Sequence, residues 1–430
     1  MHSFRYHQGQ LYCEDVSLQT LAEEHGTPLY VYSKATISDH YSRLDGAFGN
    51  LPHLICYAVK ANSNLAVLST IAKHGGGFDI VSGGELLRVV KAGGDPGKCT
   101  FAGVGKTREE IEYALQQGIY CFNAESEAEL RYINQVAGEL GRKAPVAVRV
   151  NPNVDAKTHA KITTGKSENK FGIDFDKIIE VYGRIAAECS HLEIKGLQMH
   201  IGSQLTSVEP FVEAVKKVLP LVQQVKEKHG IQFFSIGGGI GINYRQSLDS
   251  GDEAWWEENP ETHPLTIQSY AESVVPHLQS LGLRILCEPG RFMVGNAGVL
   301  LTKVLYEKRG GAKTFKIVDA GMNDLIRPTL YEGWHQIVPL KQPQGTETEL
   351  VDVVGPICET GDFLAQNREI PLVKEGEYLA VMSAGAYGFT MASNYNTRPM
   401  PAEILVTEAQ AHVVRERQTL ADLIKGEHVV

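Results

Sequence analysis

Between about residues 53 and 290 the chain alternates short apolar, β-branched runs with longer stretches of helical period. The runs are HLICYAVK (53–60), GFDIVS (77–82), CTFAG (99–103), IYCFNAE (119–125), VAVRVN (146–151), EIKGLQMHIGS (193–203), FFSIGGG (233–239) and RILCEPG (284–290). Each reads as a strand handing over to a helix, because the side-chain period changes from 2 to 3.6 residues. Eight such units have the size of a (β/α)8 barrel of the TIM type, and although a doubly wound open sheet gives similar local patterns, the count favours the barrel. The predicted fold class is α/β.

The intervening stretches support this pattern. SGGELLRVVKAGG puts Leu86, Val89 and Val90 on one face, and KTREEIEYALQQG does the same for Ile111, Ala114 and Leu115. Thr107 with Glu110, and Ser126 with Glu129, have the spacing of capping boxes. After about residue 295 the texture changes to VLLTKVLYEK, TFKIVDAG, ELVDVVGP, EYLAVMSA and PAEILVTE, short β-like runs that predict a second, mostly β domain of sandwich or barrel type. The expected division is a barrel over 27–295 and a β domain over 296–430 joined by 1–26, in which FRYHQGQLYCEDV adds a strand. Two long polar segments, 151–173 and 243–264, interrupt the barrel, and KITTGKSENKFG in the first is expected to be a mobile lid.

A formal net charge of -10 and the absence of a Lys/Arg-rich run argue against nucleic acid as a partner. No apolar stretch reaches the roughly 20 residues of a membrane span, and MHSFRYHQGQLYCEDVS has no signal-peptide core, so the reading is a cytoplasmic protein acting on a small molecule. Seven cysteines, with no C-x-x-C spacing, indicate neither a disulfide framework nor a structural zinc site, and no metal is expected.

Polar and glycine-rich motifs gather at the C-terminal ends of the strands, the face of a barrel on which active sites are built. Lys60 ends the first apolar run, where an exposed strand end would be the simplest account. GGGIG (237–241) follows another strand, where it is either a tight strand-to-helix turn or a place where backbone N–H groups approach a phosphate closely. Glu288 in CEPGRF projects from a strand end, where it either pairs with Arg291 or keeps a heterocyclic nitrogen protonated. His200, in GLQMHIGSQ, is either a satisfied core histidine or a strand-end ring that stacks on a planar cofactor. A lysine for a Schiff base, a glycine cradle, a carboxylate and an imidazole are together what pyridoxal phosphate requires.

In that order, YAVKAN, FDIVSGGEL, HIGSQ, GGGIGI, CEPGRF, VDAGMNDLIRPTLY, GPICETGD and GAYGFTMASNYNTRP resemble the motifs of the diaminopimelate decarboxylases over nearly the whole chain. The resemblance implies a pyridoxal phosphate enzyme that converts meso-2,6-diaminopimelate to L-lysine and CO2. It implies that Lys60 holds the cofactor covalently and that His200 stacks on it. Ser203, Gly238, Gly239, Gly290 and Arg291 then bind its phosphate end, Glu288 faces the pyridine nitrogen, and Tyr387 reaches the phosphate or substrate.

Ornithine and arginine decarboxylases share the lysine, histidine, glycine and glutamate motifs, so substrate choice rests elsewhere. By the resemblance, Arg291, Arg327 and Tyr331 bind the distal carboxylate and Glu359 the distal ammonium, with Cys358 the proton donor. An arginine fork suits a carboxylate, and arginines aimed at a bare amine would be left unpaired at a cost. The resemblance also implies a homodimer in which Cys358, Glu359 and Tyr387 complete the barrel site of the partner. The alternative is a decarboxylase of ornithine, arginine, lysine or a carboxylated polyamine on the same fold.

Overall fold

A computed structural model describes residues 2–154, 170–259, 265–311 and 313–430 of the chain. It divides into two compact units, one of Ser38–Ile242 with Pro264–Met293 and the other of Met1–Ile37, Asn243–His263 and Val294–Val430.

The first unit is a closed parallel barrel. Among the described residues its strands are β1 (His53–Ala58), β2 (Gly77–Ile80), β3 (Cys99–Phe101), β4 (Cys121–Ala124), β5 (Ala144–Asn151), β6 (Leu192–Met199), β7 (Phe233–Ser235) and β8 (Arg284–Cys287). Each pairs in parallel with the next, and β8 closes on β1 with Leu286 opposite Leu54 and Cys287 opposite Ile55. All eight expected strands are present. Thr107 and Glu110 form a reciprocal capping box. At the next helix Ser126 accepts from the Glu129 N–H, but the Glu129 carboxylate turns instead to the Glu125 N–H and the Lys106 amine.

Residues two apart on a strand share a face, and this sets the barrel interior in layers. Leu54, Cys56, Cys121, Ala147, Phe233 and Leu286 form one apolar cluster, each large side chain contributing about 2 kcal/mol by burial. Gly196 makes room there, because a Cβ on it would stand 2.5 Å from the Phe233 ring. Two residues further along their strands come Asn123, Arg149, Ser235 and Glu288, with Asp79 and Gln198 in the same position after Gly77 and Gly196, and all six are buried. The barrel therefore has an apolar floor and a polar layer above it, toward the C-terminal strand ends.

The second unit is mostly β. Its main sheet runs in the order Phe363–Pro371, Thr348–Val354, Thr314–Val318, Gly298–Arg309, Leu29–Ser33, Ala402–Thr407 and Gln410–Arg415. Leu29–Ser33 lies in the span expected for the barrel, yet it pairs antiparallel with Gly298–Leu301 and parallel with Ala402–Val406. LYVYS is buried at all five positions, so its composition matches a barrel strand while its register belongs to this sheet. FRYHQGQLYCEDV forms a three-stranded antiparallel sheet of its own, bridged to Lys341 at Gln10. The segment after Asn243, read as a loop of the barrel, belongs to this unit: the Leu248 N–H donates to Gln336 Oε1 at 2.8 Å.

Residues 155–169, most of the expected lid, lie outside the described residues. Among the described residues no helix is long and apolar enough to cross a membrane. The seven cysteines are free thiols, all buried except Cys358.

Candidate active site

Glu288 organises the polar layer. Its Oε1 accepts from Ser235 Oγ at 2.8 Å and Asn123 Nδ2 at 3.3 Å, and its Oε2 accepts from Gln198 Nε2 at 2.8 Å. Burial pushes the Glu288 carboxyl up to about 7, the Asp79 carboxylate adds to that, and the Gln198 and Ser235 donors oppose it. Of the two readings open for Glu288, a pairing with Arg291 is not among its hydrogen bonds: these three uncharged donors hold it, while Arg291 Nη2 donates to Ser203 Oγ at 3.1 Å.

Lys60 stands in the one-turn helix Val59–Ala61 that follows β1. Its Nζ lies 2.7 Å from Asp79 Oδ2, with 41% of the Lys60 side chain exposed against 3% of Asp79. A buried carboxylate thus holds the amine of a half-exposed side chain. His200, directly after β6, is held well below its ordinary value by burial, with the charges of Arg149 and Lys60 adding to the effect. The Gly238 N–H donates to His200 Nδ1 at 3.2 Å, so Nδ1 carries the lone pair and the neutral ring carries its hydrogen on Nε2.

The glycine run after β7 is fixed by close approach of backbone. A Cβ on Gly238 would stand 2.0 Å from the Glu288 carbonyl oxygen, and one on Gly239, which has φ +110°, would stand 2.6 Å from that of Gly202. The run is thereby pressed against the turns that carry Glu288, Gly290 and Arg291 on one side and Ser203 on the other.

The remaining expected residues belong to the second unit. Arg327 and Tyr331 open and close the short helix Arg327–Tyr331, and Arg327 is buried. Arg327 Nη1 donates to His335 Nε2 at 2.6 Å, which leaves His335 Nδ1 to donate to the Met382 carbonyl at 2.8 Å. The Arg327 guanidinium also lies 4.3 Å from the centre of the Tyr244 ring. Cys358 and Glu359 sit exposed on the loop between Thr348–Val354 and Phe363–Pro371. Tyr387 is half-buried in a turn with φ 55°, a conformation that a residue bearing a Cβ adopts only under strain.

The barrel site fits pyridoxal phosphate by the chemistry of its donor set. It offers one accessible amine, one neutral imidazole, a guanidinium beside a hydroxyl, and a buried carboxylate that an adjacent cationic N–H would stabilise. Asp79 Oδ1, Asn123 Oδ1, Gln198 Oε1 and Arg149 Nη2, all in the polar layer, have no hydrogen-bond partner among the described residues, as expected where a polar group belongs above them.

Residues 34–295 match the family described as pyridoxal-dependent decarboxylase, pyridoxal binding domain. A diaminopimelate decarboxylase of Vibrio cholerae serotype O1 is 50% identical over 433 aligned residues, covering 100% of both chains. The chain belongs to the diaminopimelate decarboxylases. Among solved structures of this family, the M. jannaschii enzyme in co-complex with L-lysine superposes with a TM-score of 0.90 at 36% identity, covering 100% of this chain and 98% of that one. The Helicobacter pylori enzyme complexed with L-lysine gives 0.87 at 40% identity, over 95% and 98%.

Four polar residues of this diaminopimelate decarboxylase chain escaped the sequence reading: Asp79, Asn123, Gln198 and Ser235. A signal for them exists. Asp79 and Asn123 are each the one polar residue of a short apolar strand, Ser235 ends the apolar run FFS, and Gln198 stands between Leu197 and Met199; a chain rarely buries such a residue without a partner.

Proposed function

We propose that this chain decarboxylates meso-2,6-diaminopimelate to L-lysine, the last step of lysine biosynthesis, using pyridoxal phosphate held in the barrel. The observation that carries the reading is the polar layer around Glu288, in a chain 50% identical over its full length to a diaminopimelate decarboxylase.

Pyridoxal phosphate, when bound, supplies a conjugated electron sink for the electron pair left behind as the carboxylate departs as CO2. Lys60 Nζ is the amine that holds it, and Asp79 orients that amine. Glu288 holds a proton at the pyridine nitrogen, with Asn123, Gln198 and Ser235 fixing both carboxylate oxygens so that neither swings away. His200 presents a neutral ring face whose tautomer the Gly238 N–H sets. Ser203, Gly238, Gly239, Gly290 and Arg291 receive the phosphate end, with Tyr387 reaching the phosphate or substrate.

Arg291, Arg327 and Tyr331 bind the distal carboxylate and Glu359 the distal ammonium. Arg327 arrives stacked on Tyr244 and hydrogen-bonded to His335, so its fork loses little freedom on binding. The Cys358 thiol delivers the proton that replaces CO2 at the α-carbon. We further propose a homodimer in which Cys358, Glu359 and Tyr387 serve the barrel of the partner copy, a reading supported by the exposure of Cys358 and Glu359.

The direct experiment incubates purified protein with pyridoxal phosphate and meso-diaminopimelate and measures L-lysine and CO2. Turnover of ornithine, arginine or lysine in preference to diaminopimelate would overturn the substrate assignment.

A further inference from the structure

We propose that Asp362 is a positioning residue that clamps the segment leading to Arg327 and Tyr331 onto the loop bearing Cys358 and Glu359, so that recognition of the distal end and proton delivery come from one rigid block. The inference rests on the functional reading above and concerns a residue to which that reading gives no role.

Asp362 is buried, and its two oxygens serve different segments. Oδ1 accepts from the Met322 N–H at 2.6 Å, just ahead of the Arg327 helix, and Oδ2 accepts from the Ile357 N–H at 2.6 Å, directly ahead of Cys358. Hydrogen bonds to an ionised acceptor are roughly twice as strong as neutral ones, and here both end on backbone, so they fix the path of the chain rather than a side chain. Burial raises the Asp362 carboxyl above its ordinary value, and these two N–H groups oppose that rise.

The surroundings are shaped to the carboxylate. A Cβ on Gly355 would stand 2.6 Å from Asp362 Oδ2 and 2.5 Å from Gly321 Cα, while one on Gly321 would stand 3.0 Å from Asp362 Oδ1. Both segments thus pass the carboxylate through a glycine. Two further ties lock the same block: Thr329 Oγ1 donates to the Gly361 carbonyl at 2.6 Å, and the Cys358 N–H donates to Asn396 Oδ1 at 2.8 Å. A carboxylate serving only global stability would need neither the glycines on both segments nor the flanking ties.

The test is Asp362→Asn in the holoenzyme. An amide keeps the shape but accepts on one side only, so one of the two N–H groups is left facing a donor. Hydrogen exchange should quicken in the peptides containing Met322 and Ile357, and kcat/KM for meso-diaminopimelate should fall about tenfold or more, with the cofactor absorbance unchanged. Unchanged exchange, or faster exchange with kcat and KM both within about twofold of the parent, would overturn the proposal. Should that variant fail to fold, Thr329→Val removes the tie to Gly361 at constant volume. It should lower kcat/KM several-fold at a parent-like melting temperature, and parent-like kinetics would count against the clamp. If the parent itself releases no CO2 from meso-diaminopimelate, the functional reading fails, whereas the exchange measurement still decides whether Asp362 joins the two segments.

Discussion

The two units carry their chemistry in opposite ways. In the barrel Glu288 is sunk in a polar layer and tied to three neighbours, Lys60 is paired with the buried Asp79, and His200 is forced neutral. In the β unit Cys358 and Glu359 stand exposed on a loop that a buried carboxylate anchors from behind. Burial lets a protein set proton affinities, which cofactor chemistry needs. Exposure leaves side chains ready to meet what arrives from outside, which recognition needs. The comparison predicts that barrel substitutions at Lys60 and Glu288 change the cofactor and its electronics, and that substitutions at Arg327 and Cys358 change substrate binding and proton delivery while leaving the cofactor spectrum as it was.

The sharpest way to break this contrast is Lys60→Ala. Turnover should drop by a factor on the order of 10⁴, with loss of the absorbance near the visible edge that marks the covalently held cofactor. An unchanged spectrum would remove Lys60 from its role. Glu288→Gln should lower kcat by about 10² to 10³ while cofactor affinity changes less, because a neutral amide cannot keep the ring nitrogen protonated. Full-rate decarboxylation in that variant would refute the electron-sink argument.

Arg327→Ala belongs to the other half of the comparison. It should raise KM for meso-diaminopimelate by about 10²-fold, equivalent to roughly 2 to 3 kcal/mol, and leave the cofactor spectrum as it was. Mixing Lys60→Ala with Cys358→Ala, each inactive alone, should restore about a quarter of parental activity, since half the reassorted dimers then hold one intact site. No recovery on mixing would argue against shared sites.

The smallest effect concerns the cofactor-free protein. Glu288 titrates higher folded than unfolded, so between pH 4.5 and about 7 the native state binds more protons than the unfolded one and loses stability as pH rises. The Glu288 contribution is fully present below that window and gone above it. The parent melting temperature should therefore fall more steeply through this range than that of Glu288→Gln, by about a few degrees. Parallel profiles would mean that the buried carboxyl is not the titrating group.

Much of the barrel was legible because its strands announce themselves twice, as β-branched runs and as motif-bearing ends. The residues proposed at those ends stood out because a glycine run, a strand-end lysine and a strand-end glutamate make sense together. Asp79, Asn123, Gln198 and Ser235 were not, since alternation along a strand reveals which residues share a face but not which face is inside. The placement of Leu29–Ser33 was hidden for a related reason: a fully buried strand has no polar side to betray its sheet. Asp362 lies in a motif that was read for its cysteine and glutamate, and its role is visible only once Met322 and Ile357 are seen to converge on it.

The closure of β8 on β1 has a consequence in time as well as in space. Lys60 follows the first strand of the barrel and Glu288 follows the last, and the side chains that hold Glu288 come from strands between them. A nascent chain therefore has no partial version of this site to offer. On the proposed function, cofactor capture is expected only after the final strand has left the ribosome and the ring has shut, a slow non-local event. The appearance of bound-cofactor absorbance during refolding would accordingly serve as a clock for barrel closure.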